Sequence, residues 1–267
     1  MKMSLFVSVF CCATSYSLMA QADCVPAPNC EELGFTVDAS KCSGAALKCP
    51  WDLSKAACKE KEEIEIGSIL YGDGTVASGV VTGKTPIGVV FDVENRLAVA
   101  LTNVKKDGTA GSENMYWSSS YCDTQGLQNC SSSEISLGTD LIPITCGVDG
   151  RLNTNAILAS TCNGTTYAAN ATNDYQPAGC TKDFCKKSKW FLPSLRDLQN
   201  IYLQKTQIDA SLTLLNSNGA TTIRNRNYWS STECNISGAW DFGMSNGYRN
   251  NDYKYTGNLF VRPVLAF

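Results

Sequence analysis

The sequence predicts an α+β domain of two helices, small antiparallel sheets and long disulfide-braced loops, preceded by a short cysteine-rich segment. Three observations point there. Apolar residues alternate at Ile87, Val89, Phe91 and Val93 and again at Leu97, Val99 and Leu101, the period of half-buried strands. Pro193-Ser-Leu-Arg-Asp197 opens an amphipathic helix. Cysteines recur through stretches rich in Gly, Ser, Thr and Asn that have neither period.

At 267 residues the chain has room for one sizeable domain and an appendage. An apolar fraction of 43%, a charged fraction of 18% and a net charge of -3 argue against a disordered chain and against a nucleic-acid binder. The first residues read as an export signal: Lys2, the apolar run Leu5–Ala13, and small residues at Ala20-Gln21-Ala22. A signal peptide over 1–22 is expected, with cleavage after Ala22 as first choice and after Ala20 as second. A membrane anchor needs about 20 apolar residues, and Thr14, Ser15 and Ser17 interrupt the run too early. Gln-Ala-Asp before Cys24 is no lipoprotein box.

Export places the remaining cysteines in an oxidising compartment, where an even number favours disulfides over a metal site. Beyond residue 22 there is no Cys-x-x-Cys pair, and the chain has no histidine to complete a mixed zinc site. Spacing leaves connectivity open; Cys122 with Cys130, and Cys180 with Cys185, are two pairings that would close short loops. Cys24, Cys30, Cys42, Cys49 and Cys58 make residues 23–63 a stapled segment, with Lys59-Glu-Lys-Glu-Glu63 as a solvated connector.

The main domain is expected over 64–267. Ile64, Ile66 and Ile69 begin a strand that ends at the turn Tyr71-Gly-Asp-Gly74, and residues 87–101 form a hairpin turning at Glu94-Asn95. Residues 105–150 are long loops held by Cys122, Cys130 and Cys146, with Trp117 buried among them. A first helix is capped by Asn153 or Thr154, carries Ile157 and Leu158, and stops at Asn163-Gly164. The second is capped by Ser194, with Asp197 completing a capping box and Leu195, Leu198, Ile201 and Tyr202 on its inner face. Ala239–Met244 is a strand turning at Ser245-Asn-Gly247. Leu259–Phe267 is a strand apolar on both faces, hence interior, with Pro263 marking an edge or bulge.

The series Trp190-Phe-Leu-Pro-Ser-Leu-Arg-Asp-Leu198, Tyr228-Trp-Ser-Ser-Thr-Glu233, Ala239-Trp240 with Gly243 and Asn246-Gly247, and Val261-Arg-Pro-Val-Leu-Ala-Phe267 resembles the Lcl C-terminal domain family of bacterial collagen-like adhesins. Pro86–Phe91 with Leu97–Leu101 is similar to that family's opening hairpin. The resemblance implies a C-type-lectin-like fold with paired chain ends, a surface or adhesive role in bacteria, sulfated polysaccharides among the ligands, and no catalytic residues.

Trp229 and Trp240 are expected in the core beneath a strand pair, with Ser230 and Ser231 satisfying backbone groups nearby. Tyr116-Trp-Ser-Ser119 echoes Tyr228-Trp-Ser-Ser231 and reads as coincidence or as a similar strand end. The recognition surface is placed on a loop carrying Asn246, Tyr248, Arg249, Asn250, Asn251, Asp252, Tyr253, Lys254 and Tyr255, whose rings stack and whose polar groups bond directionally. A second patch is Lys182, Lys186, Lys187 and Lys189, able to meet acidic polymers through charge. Asn250, Asn251 and Asp252 offer oxygens to calcium but lack a spaced carboxylate set, so no metal and no cofactor is expected. The sequons at Asn129, Asn163, Asn170 and Asn235 read as products of an Asn- and Ser-rich composition.

Without histidine, Ser-His-Asp and Cys-His machinery is excluded. The expectation is therefore a non-catalytic, exported recognition or adhesion protein at the cell surface, outside the cell or in the periplasm. Its partner would be a glycan or an extracellular protein; nucleic acid and a membrane span are not expected, and an oligomer is compatible. A structural subunit of an envelope or fimbrial assembly is the alternative. An enzyme of formylglycine-generating type, with Cys180 and Cys185 as its cysteine pair, or a two-carboxylate glycosidase, ranks third.

Overall fold

The computed structural model describes residues 64–267, except 162–166 and Thr256, together with two short strands before them. The chain divides into two compact units, Met1–Glu63 and Ile64–Phe267. In the first, β1 (Phe35–Val37) pairs antiparallel with β2 (Cys58–Glu60), Phe35 opposite Glu60. The charged run thus begins in a strand rather than in a connector. The expected signal peptide, the cysteines between residues 23 and 57 and the stop at Asn163-Gly164 lie outside the described residues.

The second unit holds a six-stranded antiparallel sheet in the order β4-β3-β5-β6-β11-β7. Its strands are β3 (Ile69–Tyr71), β4 (Val76–Ala77), β5 (Pro86–Asp92), β6 (Leu97–Ala100), β7 (Trp190–Phe191) and β11 (Val264–Ala266). β5 and β6 are the expected hairpin, Val89 opposite Val99. The strand period divides their side chains between two cores: Ile69, Tyr71, Val89, Phe91, Val99 and Val264 on one face, Leu70, Val90, Ala98, Ala100 and Leu265 on the other. The C-terminal segment is interior as expected, but Pro263, which has no donor, limits the regular strand to three residues. Arg262 is buried beside it and donates to Ala100 O (2.8 Å), Leu101 O (2.8 Å) and Thr221 O (2.8 Å). Burial pulls its pKa down to about 10.

Four helices form among the described residues where two were expected. α1 (Gly150–Ala159) is capped by Asp149, whose carboxylate accepts from Leu152 N at 2.9 Å. Asn153 and Thr154 lie inside the helix, and Thr154 Oγ1 donates to Gly150 O at 2.7 Å. The start was misplaced because the first turn carries no apolar signal. α2 (Ala168–Asp174), an alanine-and-asparagine segment buried beside β7, has no amphipathic period to betray it. α3 (Leu195–Leu203) has the expected reciprocal box: Ser194 Oγ accepts from Asp197 N (3.1 Å), and Asp197 Oδ2 accepts from Ser194 N (2.8 Å). α4 (Lys205–Leu214) follows at once, seating Ile208 and Leu212 in the first core.

The last sheet is three-stranded, β10-β9-β8, with β8 (Asn227–Glu233), β9 (Gly238–Gly243) and β10 (Tyr248–Tyr253) antiparallel. Trp229 and Trp240 are fully buried, as the sequence leads one to expect, and so is Trp117. Ser230 Oγ donates to Trp240 O at 2.6 Å and accepts from Thr232 N. The echoed tetrapeptides turn out to clasp each other. Trp229 Nε1 donates to Met115 O and Trp117 Nε1 donates to Ser230 O, each at 2.8 Å. Each indole satisfies a carbonyl beside its counterpart, tying the 115–118 loop to the middle of β8.

Cys180 pairs with Cys185 as spacing permitted. Cys130 pairs with Cys146, sixteen residues on, and not with Cys122, because the chain between them loops out and returns. Cys122 is itself disulfide-bonded. Cys234 is a buried free thiol, a departure from full pairing among the described cysteines.

Removing either indole donor strands a buried carbonyl and leaves a small cavity. Trp117→Phe and Trp229→Phe should each lower unfolding free energy by about 2–4 kcal/mol. Because both act on one clasp, urea denaturation of the double variant should show less than the summed loss.

Candidate functional site

The segment expected as an exposed recognition loop is mostly strand. Residues Tyr248–Tyr253 pair along β9, Arg249 opposite Phe242 and Asn250 opposite Asp241. Asn and Asp have low strand propensity, which hid the alternation; cross-strand partners override it. Tyr248, Asn250 and Asp252 share one face, and Arg249, Asn251 and Tyr253 the other. Arg249 and Lys254 are buried, 1% and 0% exposed, and are withdrawn from the surface where the sequence reading put them. Arg249 carries a bridge to Gly138 on the free edge of β10 and donates to Ser136 Oγ at 3.3 Å, so the 136–140 loop covers it. Its burial lowers its pKa.

What remains at the surface is aromatic. Tyr253 and Tyr255 are exposed, 59% and 40%, and a third ring that the sequence reading missed, Tyr121 at 39%, joins them. Ring centroids lie 4.3 Å apart for Tyr121 and Tyr255 and 5.6 Å apart for Tyr121 and Tyr253, both pairs tilted. No local pattern links Tyr121 to residues more than 130 positions away. Asn246 and Tyr248 are exposed at the opposite end of β10, where Asn246 Oδ1 accepts from Tyr248 N at 3.1 Å. Asn250, Asn251 and Asp252 are half-buried, and Asn251 Nδ2 donates to Ser132 Oγ at 3.3 Å.

Beneath the tyrosines lies a buried ion pair. Lys254 Nζ bonds Glu233 Oε1, donates to Cys122 O at 2.7 Å and sits 4.8 Å from the centre of the Trp117 ring. Thr124 N donates to the same Glu233 oxygen at 3.2 Å. Desolvation raises the Glu233 pKa and lowers that of Lys254, each offset in part by the other's charge. Burial also raises the pKa of the neighbouring Cys234 thiol.

Asp241, also missed by the sequence reading, is a fully buried carboxyl in the middle of β9. Asn227 Nδ2 donates to its Oδ1 at 2.8 Å, while Oδ2 has no bonding partner among the described residues. Burial, reinforced by the charge of Asp252, pushes its pKa up to about 7. Lys182 is exposed in the loop that Cys180–Cys185 closes, ahead of a 3-10 turn at Asp183–Cys185, and Lys186, Lys187 and Lys189 are exposed just after it. Asp183 pairs with Lys186 at 2.7 Å, reducing the charge that patch presents.

A cleft of about 250 Å³ lies between α1 and α3, lined by Asn95, Val148, Arg151, Phe191 and Arg196, and holds none of the expected ligand residues. Among the described residues no group of three or more Cys, Asp or Glu is placed to hold a metal ion, and no helix is long and apolar enough to cross a membrane.

No family model matches the chain, and no curated protein matches it. Among solved structures it is similar to a fimbrial protein from Bacteroides ovatus ATCC 8483, at 15% identity and a TM-score of 0.48 over 78% of this chain. The chain spans about half the length of that structure, covering 50% of it.

The buried Asp241 generates a pH effect of known sign. Its folded pKa lies above the unfolded value, so the native state holds this proton more tightly, and its contribution falls as pH rises from about 4 to about 7. Ionisation above that range costs on the order of 4 kcal/mol. Asp241→Asn keeps the Asn227 contact and should flatten the stability profile, gaining over wild type at pH 8 and little at pH 4. Thermal unfolding across that range checks it.

Proposed function

We propose that this is an exported bacterial recognition or adhesion protein whose second unit binds a glycan at the cell surface without covalent chemistry. The observation that carries the reading is the exposed cluster of Tyr121, Tyr253 and Tyr255. Solvent-facing aromatic rings held in contact are a ready stacking face for the apolar side of a sugar ring, at little further entropic cost. Disulfides at Cys130–Cys146 and Cys180–Cys185 support an oxidising destination. The likeness of four sequence blocks to the Lcl C-terminal domain family supports a C-type-lectin-like, adhesive reading. Lys182, Lys186, Lys187 and Lys189 form a second contact area for sulfated or acidic polymers.

One observation favours the alternative, a structural subunit of an envelope or fimbrial assembly. The loop closed by Cys130–Cys146 exposes Leu137, Leu141 and Ile142 at 48%, 39% and 51%, apolar surface of the kind that neighbouring subunits cover.

The test is binding of oxidised residues 23–267 to an array of neutral and sulfated polysaccharides at two salt concentrations. Stacking predicts binding that persists at high salt and falls about tenfold or more in Tyr121→Ala and Tyr255→Ala. Salt-sensitive binding lost in a Lys186→Ala/Lys187→Ala variant would move the site to the lysine turn. Silence across the array, from folded protein, would favour assembly through the Leu137–Ile142 loop.

A further inference from the structure

Tyr121 is separated from Tyr253 and Tyr255 by most of the domain's length, and it sits on an irregular loop. Stacking between exposed rings is too weak to hold such a loop against its own entropy. A disulfide at Cys122 anchors it covalently on one side, and a set of hydrogen bonds around it converges on Lys254, the residue between the other two tyrosines. The Lys254 carbonyl accepts from Trp117 N at 2.8 Å and from Ser118 N at 3.2 Å, fixing the chain just before Tyr121. Its ammonium donates to Cys122 O, fixing the chain just after, and lies over the Trp117 ring. Glu233 holds the ammonium in place and is itself fixed through Thr124 N, at its side chain, and Cys130 N, at its carbonyl.

We infer that Lys254 and Glu233 are the positioning residues of the tyrosine cluster. Neither reaches the surface; with the Cys122 disulfide holding the chain, they set the spacing of the three rings. The functional part of this inference rests on the recognition reading above. Its structural part does not.

Replacing both charges by apolar groups of similar volume leaves no unpaired charge in the interior, which is the largest penalty of removing one partner alone. Lys254→Met with Glu233→Leu should stay folded at a lowered urea midpoint, because Cys122 O and Thr124 N lose their partners, and should lose the tether to Cys122. Photo-oxidation with a ruthenium sensitiser and persulfate couples tyrosines whose rings are in contact, and peptide mapping identifies the pair. Wild type should give the Tyr121–Tyr255 cross-link, and the double variant should give about a tenfold lower yield, since a loosened support displaces what it carries. Glu233→Gln, which keeps the Lys254 bond to Cys122, should retain the cross-link. A folded double variant with wild-type yield would overturn the inference. If the double variant does not fold, Lys254→Met alone carries the same readout, its Glu233 taking up a proton. On the glycan array the double variant should lose whatever binding depends on the three tyrosines. If no glycan depends on them, the tyrosine cluster is not the recognition site, while the cross-link yield still decides the positioning role.

Discussion

Irregular chain can be buried only if its carbonyls find donors, and here long side chains supply them across the fold. All four tryptophans in the second unit donate their indole N–H to a backbone carbonyl: Trp117 to Ser230, Trp190 to Cys185, Trp229 to Met115 and Trp240 to Cys130. Arg262 and Lys254 do the same with charged donors. Each contact replaces a ladder that the loops cannot build. Residues 105–150 hold no named strand, and these donors anchor their buried residues, Met115, Trp117 and Cys130 among them, to the rest of the unit.

The same device explains why charges lie where apolar residues would be expected. Arg262 has no carboxylate partner among the described residues; several carbonyl dipoles share its charge, and desolvation draws its pKa down. Lys254 has a carboxylate partner, a carbonyl and an aromatic face. Asp241 has amide donors in Asn227 and Asn250, but burial and a repelling neighbour in Asp252 outweigh them, so it holds its proton up to about pH 7. Whether a buried group stays charged follows from how many opposite dipoles its surroundings offer.

Regular elements position the candidate surface only indirectly. β10 brings Tyr253 to the end of the three-stranded sheet, and the turn after it carries Tyr255. Tyr121 arrives from a loop held by the Cys122 disulfide, the buried lysine and the tryptophan clasp. The lysine turn is built differently: a five-residue disulfide spacing and a buried Trp190 contact at Cys185 hold it out in solvent.

The sequence by itself determined whatever depends on near neighbours. The β5–β6 hairpin, the Ser194 capping box and the burial of Trp117, Trp229 and Trp240 all follow from period, spacing or side-chain size over a few residues. The tertiary structure decided the rest. It made a strand of Tyr248–Tyr253, whose polar residues have no strand signal until β9 pairs with them, and it buried Arg249 and Lys254, which look like surface residues in sequence. It also formed helices at Ala168–Asp174 and Lys205–Leu214, paired Cys130 with Cys146, and gathered Tyr121 to Tyr253 and Tyr255. The physical reason is common to all of these: the free energy that selects them comes from partners distant along the chain, and no local pattern records which partner that will be.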